Sequence, residues 1–147
     1  MPEEEPIERA REDERQGLSP STQAGEFVRE EMEHIRKGEH GARSPEQAIA
    51  IGLSKARRAG VRLPPPKRGK TRTKRQARRD LAKSRRRKKP SRKRSRAVRG
   101  ALKRESRRSA SRRALSQHAK RAARRRSAAS RSAAAKKAAR TRKRGRR

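Results

Sequence analysis

Between residues 20 and 40 the apolar positions are Ala24, Phe27, Val28, Met32 and Ile35, and their spacing gathers them on one face of an α-helix. Glu26, Glu30, Glu31 and Glu33 leave the remaining surface polar. Ser21 or Thr22 can cap the start, and Gly38 after Arg36-Lys37 suits the end, so the pattern predicts a helix over about 22–37. A second stripe runs through Ala48, Ile49, Gly52, Leu53 and Ala56, widened by Ile51. Before it, Ser44-Pro45-Glu46-Gln47 offers a capping hydroxyl, a proline at the first helical position, an acid in the first turn and a capping-box Gln. After it, Gly60 suits a left-handed terminus and Val61 can fold back on the last turn, which predicts a helix over about 45–59. The six residues between are few enough to make the helices antiparallel neighbours. Gly52 and the alanines would let the second helix approach Phe27, Met32 and Ile35. The expected core and interaction surface is thus Phe27, Val28, Met32, Ile35, Ile49, Leu53 and Ala56, with self-association through the Phe27/Met32/Ile35 face to supplement so small a module.

Outside this hairpin the period is lost. Residues 2–17 carry seven acids against Arg9, Arg11 and Arg15, and residues 1–20 read as a disordered acidic leader. After the triple proline Pro64-Pro65-Pro66 the large apolar residues are Leu81, Val98, Leu102 and Leu115 alone. The expected fold class is all-α: a two-helix hairpin over 21–63, then a proline linker and a long basic tail over 64–147 that is disordered or conditionally helical. Helix over 73–88 and about 95–139, broken near Pro90, is expected to form as phosphates neutralise the charge.

Charge sharpens that division. Residues 1–66 hold 11 Lys+Arg and 13 Asp+Glu, a net of −2; residues 67–147 hold 39 basic residues against Asp80 and Glu105, a net of +37. Full neutralisation of that excess would span about 63 Å of duplex, near 19 base pairs. The clusters expected to contact phosphate are Lys67-Arg68; Arg72, Lys74 and Arg75; Arg85-Arg86-Arg87-Lys88-Lys89; Arg92-Lys93-Arg94; Arg107-Arg108; Arg112-Arg113; Arg124-Arg125-Arg126; Lys136-Lys137; and Arg142-Lys143-Arg144. Phosphate contacts carry no sequence information, so non-specific binding is the economical reading. The serines among the arginines read as small soluble filler.

The run at 43–60, Arg-Ser-Pro-Glu-Gln-Ala-Ile-Ala-Ile-Gly-Leu-Ser-Lys-Ala-Arg-Arg-Ala-Gly, resembles the core of a family of small basic bacterial proteins. Their motif is a basic residue and Ser, then Gln-Ala-Ile-Ala-Ile-Ala-Leu-Ser-x-Ala-Arg-x-Ala-Gly. Met32 to Gly38 resembles the short helix that precedes it, so the likeness covers about a quarter of the chain. Gly52 departs from the family's usual Ala and should weaken the helix by up to about 1 kcal/mol. Members tend to carry Lys/Arg/Ala tails and to be called DNA-binding; the resemblance implies a bacterial setting and the hairpin and supplies no active site, and the basic tail leads to an expected cytoplasmic, nucleoid-associated location. In composition the tail resembles those of linker histones and bacterial histone-like proteins.

Composition narrows the function classes. Only 27% of the 147 residues are hydrophobic, against nearly half in a conventional globular enzyme. One Phe, no Trp and no Tyr argue against base-stacking platforms. There is no cysteine for a disulfide or thiolate site, no run of about 18 apolar residues, and the acidic Met1-Pro2-Glu3-Glu4-Glu5 is no secretory signal. The histidines are His34, His40 and His118. They are expected as solvated surface residues; if His34 and His40 met near the turn, Glu30 or Glu33 would be the further ligand. No metal, cofactor or catalytic residue is assigned, and membrane binding is not expected. The sequence points to a non-enzymatic protein that binds duplex DNA without specificity. Its rivals are a protein-interaction hairpin tethered to nucleic acid by the tail, and an RNA- or ribosome-associated basic protein.

Overall fold

Seven α-helices and one 3-10 turn make up the described residues, 4–85 and 91–145, of the computed structural model, with no strand among them. They are α1 (Glu4–Arg15), α2 (Pro20–Lys37), α3 (Pro45–Ala59), α4 (Thr71–Ser84), α5 (Arg92–Lys103), the 3-10 turn (Arg107–Ala110), α6 (Arg112–Arg124) and α7 (Ala128–Arg144). The chain divides into two compact units, Met1–Ser111 and Arg112–Arg147. The expected two-helix hairpin with a disordered or conditionally helical tail is overturned: helix extends on both sides of it.

The acidic leader is the first correction. Pro6 and Ala10 lie one turn apart on α1 and are buried, with Ile7 packed against the same core. Arg9, on that face, donates to Glu26 at 2.7 Å and to Glu30 at 2.9 Å, and also bonds Glu5. Burial would lower the Arg9 pKa, but the hydrogen bonds to Glu30, Glu26 and Glu5 outweigh it and hold the guanidinium above its ordinary value. Charges that read as solvated in the sequence therefore pair between helices.

Helix α2 begins two residues before the expected start, with Ser19 extended at the N-cap and Pro20 in the first turn. Its end is set by Gly38, at φ +86°, whose N–H donates to His34 and Ile35 carbonyls. In α3, the Ser44 hydroxyl accepts from Gln47 N–H at 3.2 Å, while Gln47 Oε1 takes the Arg43 N–H at 2.8 Å. At the other end Gly60 has φ +110°, and the Val61 N–H returns to the Ala56 carbonyl at 3.1 Å. That return puts Val61 into a core with Ala10, Ala24, Phe27 and Ala56, against which Leu53 and Leu63 pack. The close approach of α3 to α2 falls at Gly52, where an added Cβ would stand 2.7 Å from Val28 Cα. Phe27, Met32, Ile35 and Ala56 are buried, whereas Val28, Ile49 and Leu53 are partly covered. The Phe27/Met32/Ile35 face expected to mediate self-association is thus interior to this unit.

What attaches the basic half to this core is an acid. Asp80 of α4 is buried, accepts from Ser54 of α3 at 2.8 Å and from Gln76 at 3.0 Å, and lies beside buried Ala77. Arg57 of α3 donates to the carbonyls of Leu63 at 3.1 Å and Pro64 at 3.3 Å, clipping the proline segment back onto the helix it follows. Burial pushes the Arg57 pKa down, opposed by the Asp80 charge. The end of α5 and the 3-10 turn seat on the loop after α2. Gly41 N–H donates to the Leu102 carbonyl at 2.8 Å, Ala42 N–H to Ser106 at 3.0 Å, and Arg36 Nε to Ala110 at 3.0 Å. A Cβ on Gly41 would fall 2.0 Å from the Glu105 carbonyl oxygen, so only glycine fits that seat.

The expected continuous segment at 95–139 is interrupted, and serine supplies the reason. Ser106 accepts from Arg108 N–H and Ser127 from Ser130 N–H, each at 3.2 Å, so these hydroxyls cap new helical starts instead of serving as filler. In the second unit neither α6 nor α7 buries a residue. The Pro90 break expected from the sequence lies outside the described residues.

Two variants test this packing. Gly52→Ala gains about 1 kcal/mol of helix propensity but overpacks Val28 at a cost of about 1–3 kcal/mol, so thermal melting followed by circular dichroism should show a lower midpoint. Asp80→Ala removes two hydrogen bonds to a buried carboxylate, about 2–3 kcal/mol. Limited trypsin digestion should then cut within 71–84 well before 20–59.

Candidate nucleic-acid interface

Helix α5 carries its cations at Arg92, Arg96, Arg99 and Lys103, steps of four, three and four that align on one face. With Ser95 and Gly100 these residues line an open groove along the helix. On α4 the same arithmetic aligns Arg72, Arg75, Arg79 and Lys83, all exposed, while Ala77 and Asp80 face the core. Lys74 is half-buried, and Lys67, Arg68 and Arg85 are exposed beside the helix.

Arg92, Lys93 and Arg94 occupy the first turn of α5, and no helix from α4 onward has an acid in its first turn. Cations at the positive end of a helix dipole oppose it by a few tenths of a kcal/mol each; an anion there satisfies both charges and N–H groups. Arg107 and Arg108 stand exposed on the 3-10 turn. The two acids of residues 67–147 are turned inward: Asp80 to Ser54 and Gln76, Glu105 to Arg43 at 3.7 Å. Neither faces the α5 groove.

The second unit repeats the theme. Arg113, Lys120 and Arg124 share one face of α6, opposite Leu115, Ala119 and Ala122, with His118 partly covered. Arg112 starts this helix and Arg125-Arg126 follow it. On α7, Lys136 is followed at successive turns by Arg140 and Arg144; Lys137, Arg142 and Lys143 are also exposed. Arg86, Arg87, Lys88 and Lys89, expected as the densest phosphate contact, lie outside the described residues.

Reading runs of adjacent basic residues missed the groove. Adjacent side chains point to different faces of a helix, and a shared face needs steps of three and four. Arg79, Lys83, Arg96, Arg99 and Lys103 fall outside the expected clusters, and only their spacing places them on shared faces. The half-open cleft beside Ile7, Ala10, Phe27 and Val61 holds only about 100 Å³, well under the roughly 300–1,000 Å³ of small-molecule sites. The strongest site chemistry in the nucleic-acid class is therefore on the helix surface.

The histidines depart from expectation. His34 is buried and its ring lies 6.2 Å from that of His40, so the two do meet near the turn. Glu31, buried and three residues before His34, has a carboxylate oxygen within 4.8 Å of a ring nitrogen of each, while Glu30, one of the two expected carboxylates, meets His34 at 3.2 Å. The amphipathic pattern had placed Glu31 on the polar face, and helix spacing alone gave no sign of its burial.

The α5 stripe holds like charges at i,i+3 and i,i+4 with Arg96 in two of the pairs. Arg96→Gln should stabilise the protein by a few tenths of a kcal/mol in low salt, and the gain should vanish near 1 M salt, where screening is short-ranged. Thermal melts at the two ionic strengths check this.

Among known proteins, the family DUF6496, described as a family of unknown function, matches residues 20–68, one third of the chain. That stretch comprises α2, α3 and the proline segment clipped by Arg57. No curated protein and no solved structure matches.

Proposed function

We propose that the protein is a non-enzymatic, histone-like binder of duplex DNA that acts by neutralising phosphates along folded basic helices. The observation that carries this reading is the α5 groove, where Arg92, Arg96, Arg99 and Lys103 stand on one face of a helix with no acid beside them. From Arg92 to Lys103 the helix axis covers about 16 Å, alongside about ten duplex phosphate charges. The outward stripe of α4 and the cationic faces of α6 and α7 extend the same chemistry. No arginine is fixed in a way that selects a base edge, so the reading is non-specific binding and, in a bacterial cell, association with the nucleoid. Residues 1–66, at a net −2, would then hold α4 and the end of α5 in place while contributing little attraction.

Engagement of about ten phosphates gives a log–log salt slope near −9. Replacing Arg92, Arg96, Arg99 and Lys103 together by Gln should flatten that slope by about 3.6, at about 0.9 for each lost contact. The helix content should stay the same, since all four side chains are exposed. Fluorescence anisotropy with a 20-base-pair DNA from 50 to 200 mM salt reads both. An unchanged slope would remove the groove from the interface, and tighter binding to duplex RNA of equal length would make this an RNA-associated protein.

A further inference from the structure

The polar cluster where α2 ends is independent of the basic surface. Glu31 and His34 occupy the last two turns of α2, and His40 follows Gly38, whose left-handed backbone turns the chain back. Glu31 is completely buried, and neither of its carboxylate oxygens has a hydrogen-bond donor in line. Lys55 Nζ from α3 stands 2.7 Å from Oε2 as an ion pair, and His40 Nε2 stands 3.3 Å from Oε1. A fully buried carboxylate whose charge is paired but whose hydrogen-bonding geometry is unmet is costly for a purely structural network.

We propose that Glu31, His34 and His40 bind one first-row divalent transition ion of the zinc class. One ligand atom from each residue lies within 4.8 Å of the others. Bonds of about 2.0–2.2 Å in a tetrahedral set separate ligand atoms by about 3.4 Å. The Glu31–His40 pair already has that spacing, so closure asks for a shift of the third ligand by about 1.4 Å at most. The outer partners also fit. His40 Nδ1 lies 3.1 Å from the Gly41 carbonyl and His34 Nε2 lies 3.2 Å from Glu30 Oε1. Carbonyl and carboxylate partners of this kind orient metal-bound imidazoles.

The charges of the site leave room for a cation ligand set. Glu30 is paired with Arg9 and Glu31 with Lys55, so the imidazoles are not required for charge balance. Two imidazoles and one carboxylate select zinc, cobalt, nickel or copper over magnesium or calcium. The ion would compete with Lys55 for the Glu31 carboxylate, and would join the end of α2 to the loop that seats α5 through Gly41 and Ala42. None of this depends on DNA binding, and the site can be occupied in a protein that binds no nucleic acid.

The test is calorimetric titration of zinc chloride into the full-length, tag-free, chelator-treated chain at high salt, with cobalt as a spectroscopic probe. The expected result is one ion per chain, a raised melting temperature, and visible cobalt bands of a low-coordinate nitrogen–oxygen site. His40→Ala, on a partly exposed loop residue, should weaken binding at least tenfold with helix content unchanged, and Glu31→Gln should do the same where it folds. His118→Ala should leave affinity unchanged. Lys55→Met, which removes the competing cation, should tighten binding. Absence of binding, or affinity that survives His40→Ala, overturns the proposal.

Discussion

The burial of Asp80 between α3 and α4 is the constraint on which the architecture of the first unit turns. Residues 67–147 carry 39 basic residues, and their mutual repulsion works against any compact arrangement. Only two acids are available to counter it. One of them is placed on the inward face of α4, where Ser54 and Gln76 satisfy it and the Arg57 charge lies near. Every basic side chain of α4 other than Lys74 is thereby turned outward. The same placement that anchors the helix thus sorts its charge, and Glu105 plays the smaller, more exposed version of this part beside Arg43.

The neutral front half solves a different problem with few large side chains. Its interior relies on Phe27 and Ile35 surrounded by alanines and on Gly52, so that helices approach closely where bulk is lacking. Around that small core lie ion pairs with a buried acid and a partly covered base, Arg9 with Glu30 and Lys55 with Glu31, and Arg9 also meets the partly covered Glu26. Such pairs add little net stability when compared with apolar residues of equal size, but breaking one partner is expensive. They therefore fix which faces meet more than they raise the stability of the whole.

How much of this could be read beforehand follows from the range of each interaction. The ends of α3 are legible because capping is local: Ser44, Pro45, Gln47 and Gly60 act within a few residues of themselves. The apolar stripe of α2 is legible for the same reason. Glu31, Arg9 and Asp80 are not, because each reads as a solvated charge until the partner, 17 to 26 residues away in the cases of Arg9 with Glu26 and Ser54 with Asp80, is known. The helices of the basic half were obscured by their composition, and their boundaries lay in serines whose capping role a residue count does not show. The α5 stripe is legible from the spacing of 92, 96, 99 and 103, which adjacency along the chain does not display.

The Arg57 clip on Leu63 and Pro64 changes what kind of connection the proline segment makes. A flexible tether would let each cation find its phosphate separately, with the chain losing conformational freedom at every contact. A segment held to the helix it leaves, together with the Ser54–Asp80 bond, fixes α4 on the core, so its outward cations keep a fixed mutual spacing. The backbone ordering of α4 is then spent during folding, not at each contact that the proposed DNA binding would make. Under the proposed DNA binding, the entropy change would then come mainly from released counterions and newly ordered side chains, with little from backbone folding.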